Sequence, residues 1–313
     1  MLKFALGRIL SIIPVMALVA IIVFLLLRLS PGDPALVIVG DNADAATIAR
    51  VRDQLGLDRP LLTQFLIWLG QILRGDLGMS VFSRLPVAQL MLQRAEPTLS
   101  LALSTIIVAI AIAVPLGTLA GATAGSRLDR TLMAVSVVGF SAPAFVLGYC
   151  LIYVFSLRLG LLPVQGFTSI REGLLPFARS MALPTATLGL GYAVLIARIT
   201  RATVLEAMGE DFIRTARAKG VAERAVILRH ALRTAAIPIL TVVGVGIALL
   251  IGGVVVIETV FNIPGIGRLV VDAILKRDYP VIQGVVLLFS FAYVMISLVV
   301  DLIYTALDPR IRY

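Results

Sequence analysis

An all-α membrane protein that crosses the bilayer about six times is the fold class this sequence predicts. Three observations carry it: 59% of the 313 residues are apolar, only 14% are charged, and the mean hydropathy is +1.03. One globular core cannot bury that much apolar surface, so lipid must solvate part of it. The apolar residues also fall into runs free of Asp, Glu, Lys and Arg, close to the ~20 residues a helix needs to cross a hydrocarbon layer.

Taken in order, Lys3 and Arg8 precede the first run, Ile9–Leu27. This opening imitates a secretory signal, but the run is long enough to span and no small-residue cleavage site follows before Arg28, so it reads as a retained first helix. Ser30-Pro31-Gly32-Asp33-Pro34 forms a turn that ends it, and Asp44 is placed as the N-cap of a helix through Leu55. Leu61–Leu73 is apolar but too short to cross, which predicts an interfacial or packed helix. Pro97–Ser126, Thr131–Leu157, Ser180–Ala197, Thr234–Ile257 and Tyr279–Val300 complete six spans.

This divides the chain into a first helix with an external loop region (1–96), a transmembrane domain (97–308) containing a cytoplasmic loop at 198–233, and a short cytoplasmic tail (309–313). Loops on the side of the termini carry a net charge of +7, against +2 for the opposite set, within a total of +9. Lys and Arg are retained on the cytosolic side, so both ends are expected in the cytosol. The same distribution argues against nucleic acid as the partner of this basic chain, because the basic residues lie in short loops between spans.

Chemistry is constrained by what the chain lacks. One cysteine, Cys150, and one histidine, His230, cannot form a cysteine or histidine metal site, and Cys150 is expected as a small buried hydrophobe. A phosphate-binding loop needs Gly-Lys-Ser/Thr, and none of Lys3, Lys219 and Lys276 lies in that setting, so no ATPase site is expected in this chain. Asp129, His230 and the serines offer no arrangement recognisable as nucleophile, base and orienting carboxylate. An ion-coupled transporter would need charged groups in mid-membrane, whereas Glu258 and Asp301 flank span ends. Breaks at Pro115, Pro143 or Pro238 keep that class open.

Glycines inside the spans, Gly117-x3-Gly121-x3-Gly125 and Gly244, Gly246, Gly252 and Gly253, read as sites of close helix packing. Gly139 and Ser141-Ala142-Pro143 could instead form a kink that lines a path.

The loop from Arg198 to Arg233 holds eight Lys and Arg. From Glu206 to Lys219 helix formers dominate, with Phe212, Ile213, Ala216 and Ala218 on one face and Arg214, Arg217 and Lys219 on the wet side. Gly220 ends the pattern, and a return helix from Val221 leads into the next span. On pattern alone, a helix lying on anionic lipid and a docking helix are both open.

The run Glu206-Ala207-Met208-Gly209-Glu210-Asp211-Phe212-Ile213-Arg214-Thr215-Ala216-Arg217-Ala218-Lys219-Gly220 closely resembles the cytoplasmic loop of permeases in the dipeptide, oligopeptide and glutathione group of ABC importers. Against the wider superfamily motif E-A-A-x3-G-x9-I-x-L-P, Gly220 matches the glycine, while Arg214, His230 and Arg233 depart from it. Further words resemble the group in the same order: Leu29 to Pro34, Gln54 to Asp58, Gly75-Asp76-Leu77-Gly78, Glu258 to Gly267, Arg277-Asp278-Tyr279-Pro280 and Asp308 to Tyr313.

The resemblance implies a type I ABC importer permease fold in a bacterial inner membrane, working by alternating access. It implies a second homologous permease, two cytoplasmic ATPase subunits that carry ATP and Mg, an external solute-binding protein, and no cofactor or metal in this chain. Glu206, Gly209, Asp211, Phe212, Ile213, Thr215, Ala216, Arg217, Ala218, Lys219 and Gly220 would form the ATPase-coupling segment. Pro31, Gly32, Asp33, Pro264, Gly265 and Gly267 would form a binding-protein docking surface or gate. Short peptides are the expected substrates, with nickel complexes or opines as alternatives within the same family.

Overall fold

The computed structural model describes residues 2–29, 44, 46, 52 and 58–307. The turn at Pro31, Gly32 and Asp33, the helix expected between Asp44 and Leu55 apart from its isolated described residues, and the 309–313 tail lie outside that set. The described residues are helical, with no strand among them beyond an isolated bridge between Met79 and Pro86. The helices are α1 (Leu2–Leu29), α2 (Leu61–Leu73), α3 (Val87–Gln93), α4 (Ala95–Ala122), α5 (Arg127–Ser141), α6 (Ala144–Leu151), α7 (Leu174–Met208), α8 (Asp211–Ala218), α9 (Leu232–Val260), α10 (Ile266–Lys276) and α11 (Tyr279–Leu307).

Among the described residues, four helices are long and apolar enough to cross a membrane: Ala95–Ala122, Leu174–Met208, Glu223–Val260 and Tyr279–Ile303. The other two expected spans have different forms. The first lies within the 28-residue α1, whose apolar stretch runs Leu10–Leu26. The third, expected unbroken over Thr131–Leu157, is divided at Ala142-Pro143 into α5 and α6. Proline's ring disfavours helical space for the residue before it, and here, unlike at Pro14, Pro115, Pro184 and Pro238 inside other helices, that residue leaves the helix: Ala142 is extended at φ −87°, ψ 127°. Beyond the break, α6 loosens into a π-helical segment, Ile152–Arg158.

The chain divides into two compact units. One comprises Leu2–Ala95 and Leu269–Val294. Within it Ala20, Val23 and Leu287 form a small core against which Phe65, Trp68 and Ile72 pack. Asp278 of the Arg277–Pro280 word is held by residues that follow Gly78: Ser80 donates to it at 2.5 Å and the Val81 amide at 3.2 Å, and the Ser80 and Asp278 side chains are buried. Gly78 faces the Pro280 ring closely enough that an added Cβ would touch it.

The other unit, Glu96–Arg268 with the chain from Met295, is organised around α7, against which α5, α6 and α9 pack. Without a hydrophobic drive between helices in lipid, close backbone approach supplies the contact energy, and glycine permits it. A Cβ on Gly117 would stand 2.6 Å from the Ala197 carbonyl oxygen, and one on Gly121 2.7 Å from that of Arg201. Gly244 abuts Val300, Gly246 the Tyr192 ring and Gly253 Leu188. Tyr192 also donates to the Val243 carbonyl at 2.5 Å, fixing α7 to α9. Two glycines depart from the packing reading: Gly252 has open space, and Gly125 sits in a left-handed turn at φ +81° after α4. Cys150, expected buried, is exposed on α6; lipid on the outside of a bundle removes the reason to bury a small apolar side chain.

Candidate functional site

The segment from Glu206 to Gly220 is not one helix. The 35-residue α7 ends at Met208, capped by Gly209, and Glu210 is extended at φ −73°, ψ 151° before α8 begins at Asp211. Glu206 and Gly209 therefore belong to the end of α7, whereas Asp211, Phe212, Ile213, Thr215, Ala216, Arg217 and Ala218 build α8. Asp211 in the first turn complements the amino-terminal end of the helix dipole. A 35-residue helix is about 52 Å long, well beyond the ~30 Å hydrocarbon layer, so α7 carries α8 clear of it.

The ends of α8 explain its sequence. Lys219 follows as the C-cap, and Gly220 adopts φ +75°. Its amide donates to the Arg217 carbonyl at 2.9 Å and the Val221 amide to that of Ala216 at 3.2 Å, the paired bonds of a Schellman turn. Arg217 closes the turn from outside with two bonds to Glu223, at 2.6 and 3.1 Å. Gly220, expected to end the helical pattern, does so in the left-handed conformation.

The face expected to be uniformly apolar divides in two. Ile213 is fully buried and Ala216 nearly so; both belong to the core that contains Val204, Ala207, Val226 and Ala231. Phe212, by contrast, is 40% exposed, and Thr215, Lys219, Arg214 and Ala218 are exposed beside it. One side of α8 is therefore anchored to its own bundle, and the outward side presents Phe212, Thr215 and Lys219 at helical spacing.

Sequence reading missed a clamp behind this helix. Asp129 is buried near the start of α5 and accepts two bonds from Arg201 of α7, at 2.8 and 2.9 Å, and one from the Gly125 amide at 2.9 Å. Bidentate Arg–carboxylate geometry fixes direction as well as distance. The Arg201 guanidinium, aided by the Gly125 amide, lowers the Asp129 carboxyl to about 2. The residues are 72 apart in sequence, and the nearest sequence sign was the Ser126–Asp129 spacing of an N-cap, which the structure also shows.

Pro264, Gly265 and Gly267 surround a different construction. Glu258, at the end of α9, is fully buried; it accepts from the Thr98 hydroxyl at 2.5 Å and from the Arg268 amide at 2.9 Å. Thr98 in turn accepts from the Ile266 amide at 2.8 Å, so the pair satisfies the first amides of α10. Gly265 and Gly267 are buried against the Glu258 carboxylate, where a Cβ would collide with it. Of the three, only Pro264 is exposed, so the glycines serve the turn's interior rather than an outer surface. Among the described residues no group of His, Cys, Asp and Glu is arranged to hold a metal ion.

The four long apolar helices, together with an amphipathic helix anchored on one side and exposed on the other, define a polytopic membrane protein. Residues 113–313 match the family described as the binding-protein-dependent transport system inner membrane component, and residues 1–102 match its N-terminal counterpart. The chain belongs to this family of transport-system membrane subunits. It is 53% identical, over 99% of both chains, to a Sinorhizobium fredii protein named "Probable peptide ABC transporter permease protein y4tP". It is 45% identical, over the full length of both, to the glutathione transport system permease protein GsiC of Escherichia coli K12. Its fold is similar to that of the inward-facing MetNI methionine ABC transporter, with TM-score 0.60 and 20% identity over 71% of this chain and 97% of that one.

Proposed function

We propose that this chain is one permease half of an ATP-driven importer that moves short peptides, glutathione among the candidates, through the bacterial inner membrane by alternating access. The observation that carries the reading is α8: it is anchored through Ile213 and Ala216 and presents Phe212 outward beside cationic side chains. Such an anchor suits a groove in a cytoplasmic ATPase, with charge setting its orientation. Closure of two ATPase subunits would move α8 and the rigid α7 together, the Asp129–Arg201 clamp carrying α5 with them. ATP and Mg belong to those partners, and this chain would contribute no catalytic group or cofactor.

A second homologous permease would complete the pore, an external solute-binding protein would deliver substrate, and both termini would face the cytosol. The peptide assignment rests on the two named relatives. An ion-coupled mechanism is not favoured, since Glu258 is occupied by Thr98 and backbone amides at a helix end.

Co-purification of the ATPase with wild-type protein and with Phe212→Asp tests the reading. Retention should fall at least about tenfold at equal membrane yield, the scale of one lost interface anchor. Unchanged retention would return α8 to a lipid-surface helix. Ile213→Asp is unsuitable because it places a charge in the core.

A further inference from the structure

Helix α2 has three distinct sides. Gln64, Phe65, Trp68 and Ile72 face inward, the aromatic rings meeting Phe24 of α1 at centroid distances of 5.3 Å for Phe65 and 5.6 Å for Trp68. A second side carries Leu62, Leu66, Leu69 and Leu73, spaced as one helical stripe, with Leu62 70% and Leu73 79% exposed. The third carries Thr63, Ile67, Gly70 and Gln71, with Ile67 43% exposed. A helix packed on one side, leucine-lined on the second and mixed on the third, where Thr63 and Gln71 flank Ile67, fits a boundary between hydrocarbon and water.

Its depth can be read from its neighbours. Phe24 stands near the end of α1's apolar stretch, which closes at Leu26 shortly before Arg28. Val286 and Leu287, which pack in the same cluster, lie within about the first three turns of α11. Ala20 and Val23 belong to the same cluster, so α2 packs over the second half of one span's apolar stretch and the first turns of another, within a single leaflet. At 13 residues it is about 20 Å long and cannot cross. Exposed Arg59 and Arg74 bracket it, one at each end, matching phosphate on both sides of an apolar stripe. An aromatic residue such as Trp68 is also at home at this depth.

We propose that α2 lies half-immersed in one leaflet, with its leucine stripe among phospholipid acyl chains and Arg59 and Arg74 at headgroup phosphates. The occupant of the stripe is lipid rather than a partner helix, because the stripe adjoins α1, whose Leu18, Ile22 and Leu26 form an exposed apolar face of a membrane-crossing length of chain, and Arg59 and Arg74 bracket it with the charge that headgroup phosphates attract.

Trp68 is the only tryptophan in the chain, so its fluorescence reports on this helix alone. The full chain is reconstituted in phosphatidylcholine vesicles brominated either near the glycerol or near the chain ends. Shallow bromines should quench Trp68 at least about twofold more than deep ones, the pattern of an interfacial helix. A second form, Trp68→Phe with Leu66→Trp, moves the reporter onto the stripe and should be quenched more strongly, with blue-shifted emission. Blue emission without quenching in the second form would mean that protein covers the stripe, and red emission would mean water; either overturns the proposal. Stronger quenching by deep bromines would also overturn it, by placing the helix in the membrane core.

Discussion

Replacing Gly220 with valine isolates backbone strain from steric collision. A Cβ at this position meets nothing within 4 Å, so the cost arises from φ +75° alone. For an L-residue the left-handed region costs about 1–2 kcal/mol, and a β-branched side chain sits at the upper end. The two Schellman hydrogen bonds it would oppose contribute about 1 kcal/mol each. The substitution should therefore lower the ratio of closed to open turn by roughly 5- to 30-fold and bring a mostly closed turn near balance. Asparagine tolerates this conformation, so retention of the ATPase should follow Gly, Asn, Ala, Val in descending order. The assay is ATPase retention and transport per ATP hydrolysed, normalised to permease in the membrane. Valine equal to glycine, or asparagine no better than valine, would refute the argument that this turn positions α8.

Other sites give separable outcomes. Asp129 has its carboxyl lowered from 3.8 to about 2 in the folded state, so its pairing with Arg201 stabilises fully above about pH 4 and is lost as pH falls toward 2. Thermal unfolding of wild type and Asp129→Asn should differ at neutral pH and converge in that acid window; a constant gap would contradict the assignment. Gly121→Val should cost about 1–3 kcal/mol, seen as lower yield and melting temperature, because its Cβ meets the Arg201 backbone; Gly252→Val, with open space, should not. Glu258→Ala removes the carboxylate that accepts from the Thr98 hydroxyl and the Arg268 amide, at about 1–3 kcal/mol for the loss of the buried Thr98 bond. Limited proteolysis should then cut the 261–267 turn faster, and unchanged protection would argue against the capping role.

Membrane residence and the positions of the long helices were legible because hydropathy is a local property of a run: the bilayer tests each stretch against the same thickness. The left-handed Gly220 was legible for a related reason, since a glycine closing a helix-forming stretch is a local geometric requirement. The close approach at Gly117 and Gly121 was visible as a spacing, but its partner, the α7 backbone, was not.

Sequence pattern alone therefore determined the class, the places of the four long apolar helices, and the segment that carries the candidate docking helix. Tertiary structure decided which side of that helix is available. Ile213 and Phe212 are adjacent and equally apolar, yet one fills the bundle's own core and the other faces outward. It also joined Asp129 to Arg201 and Glu258 to Thr98. These choices depend on contacts between residues far apart in the chain, and a charge or methyl group carries no local mark of the distant partner that folding will bring to it.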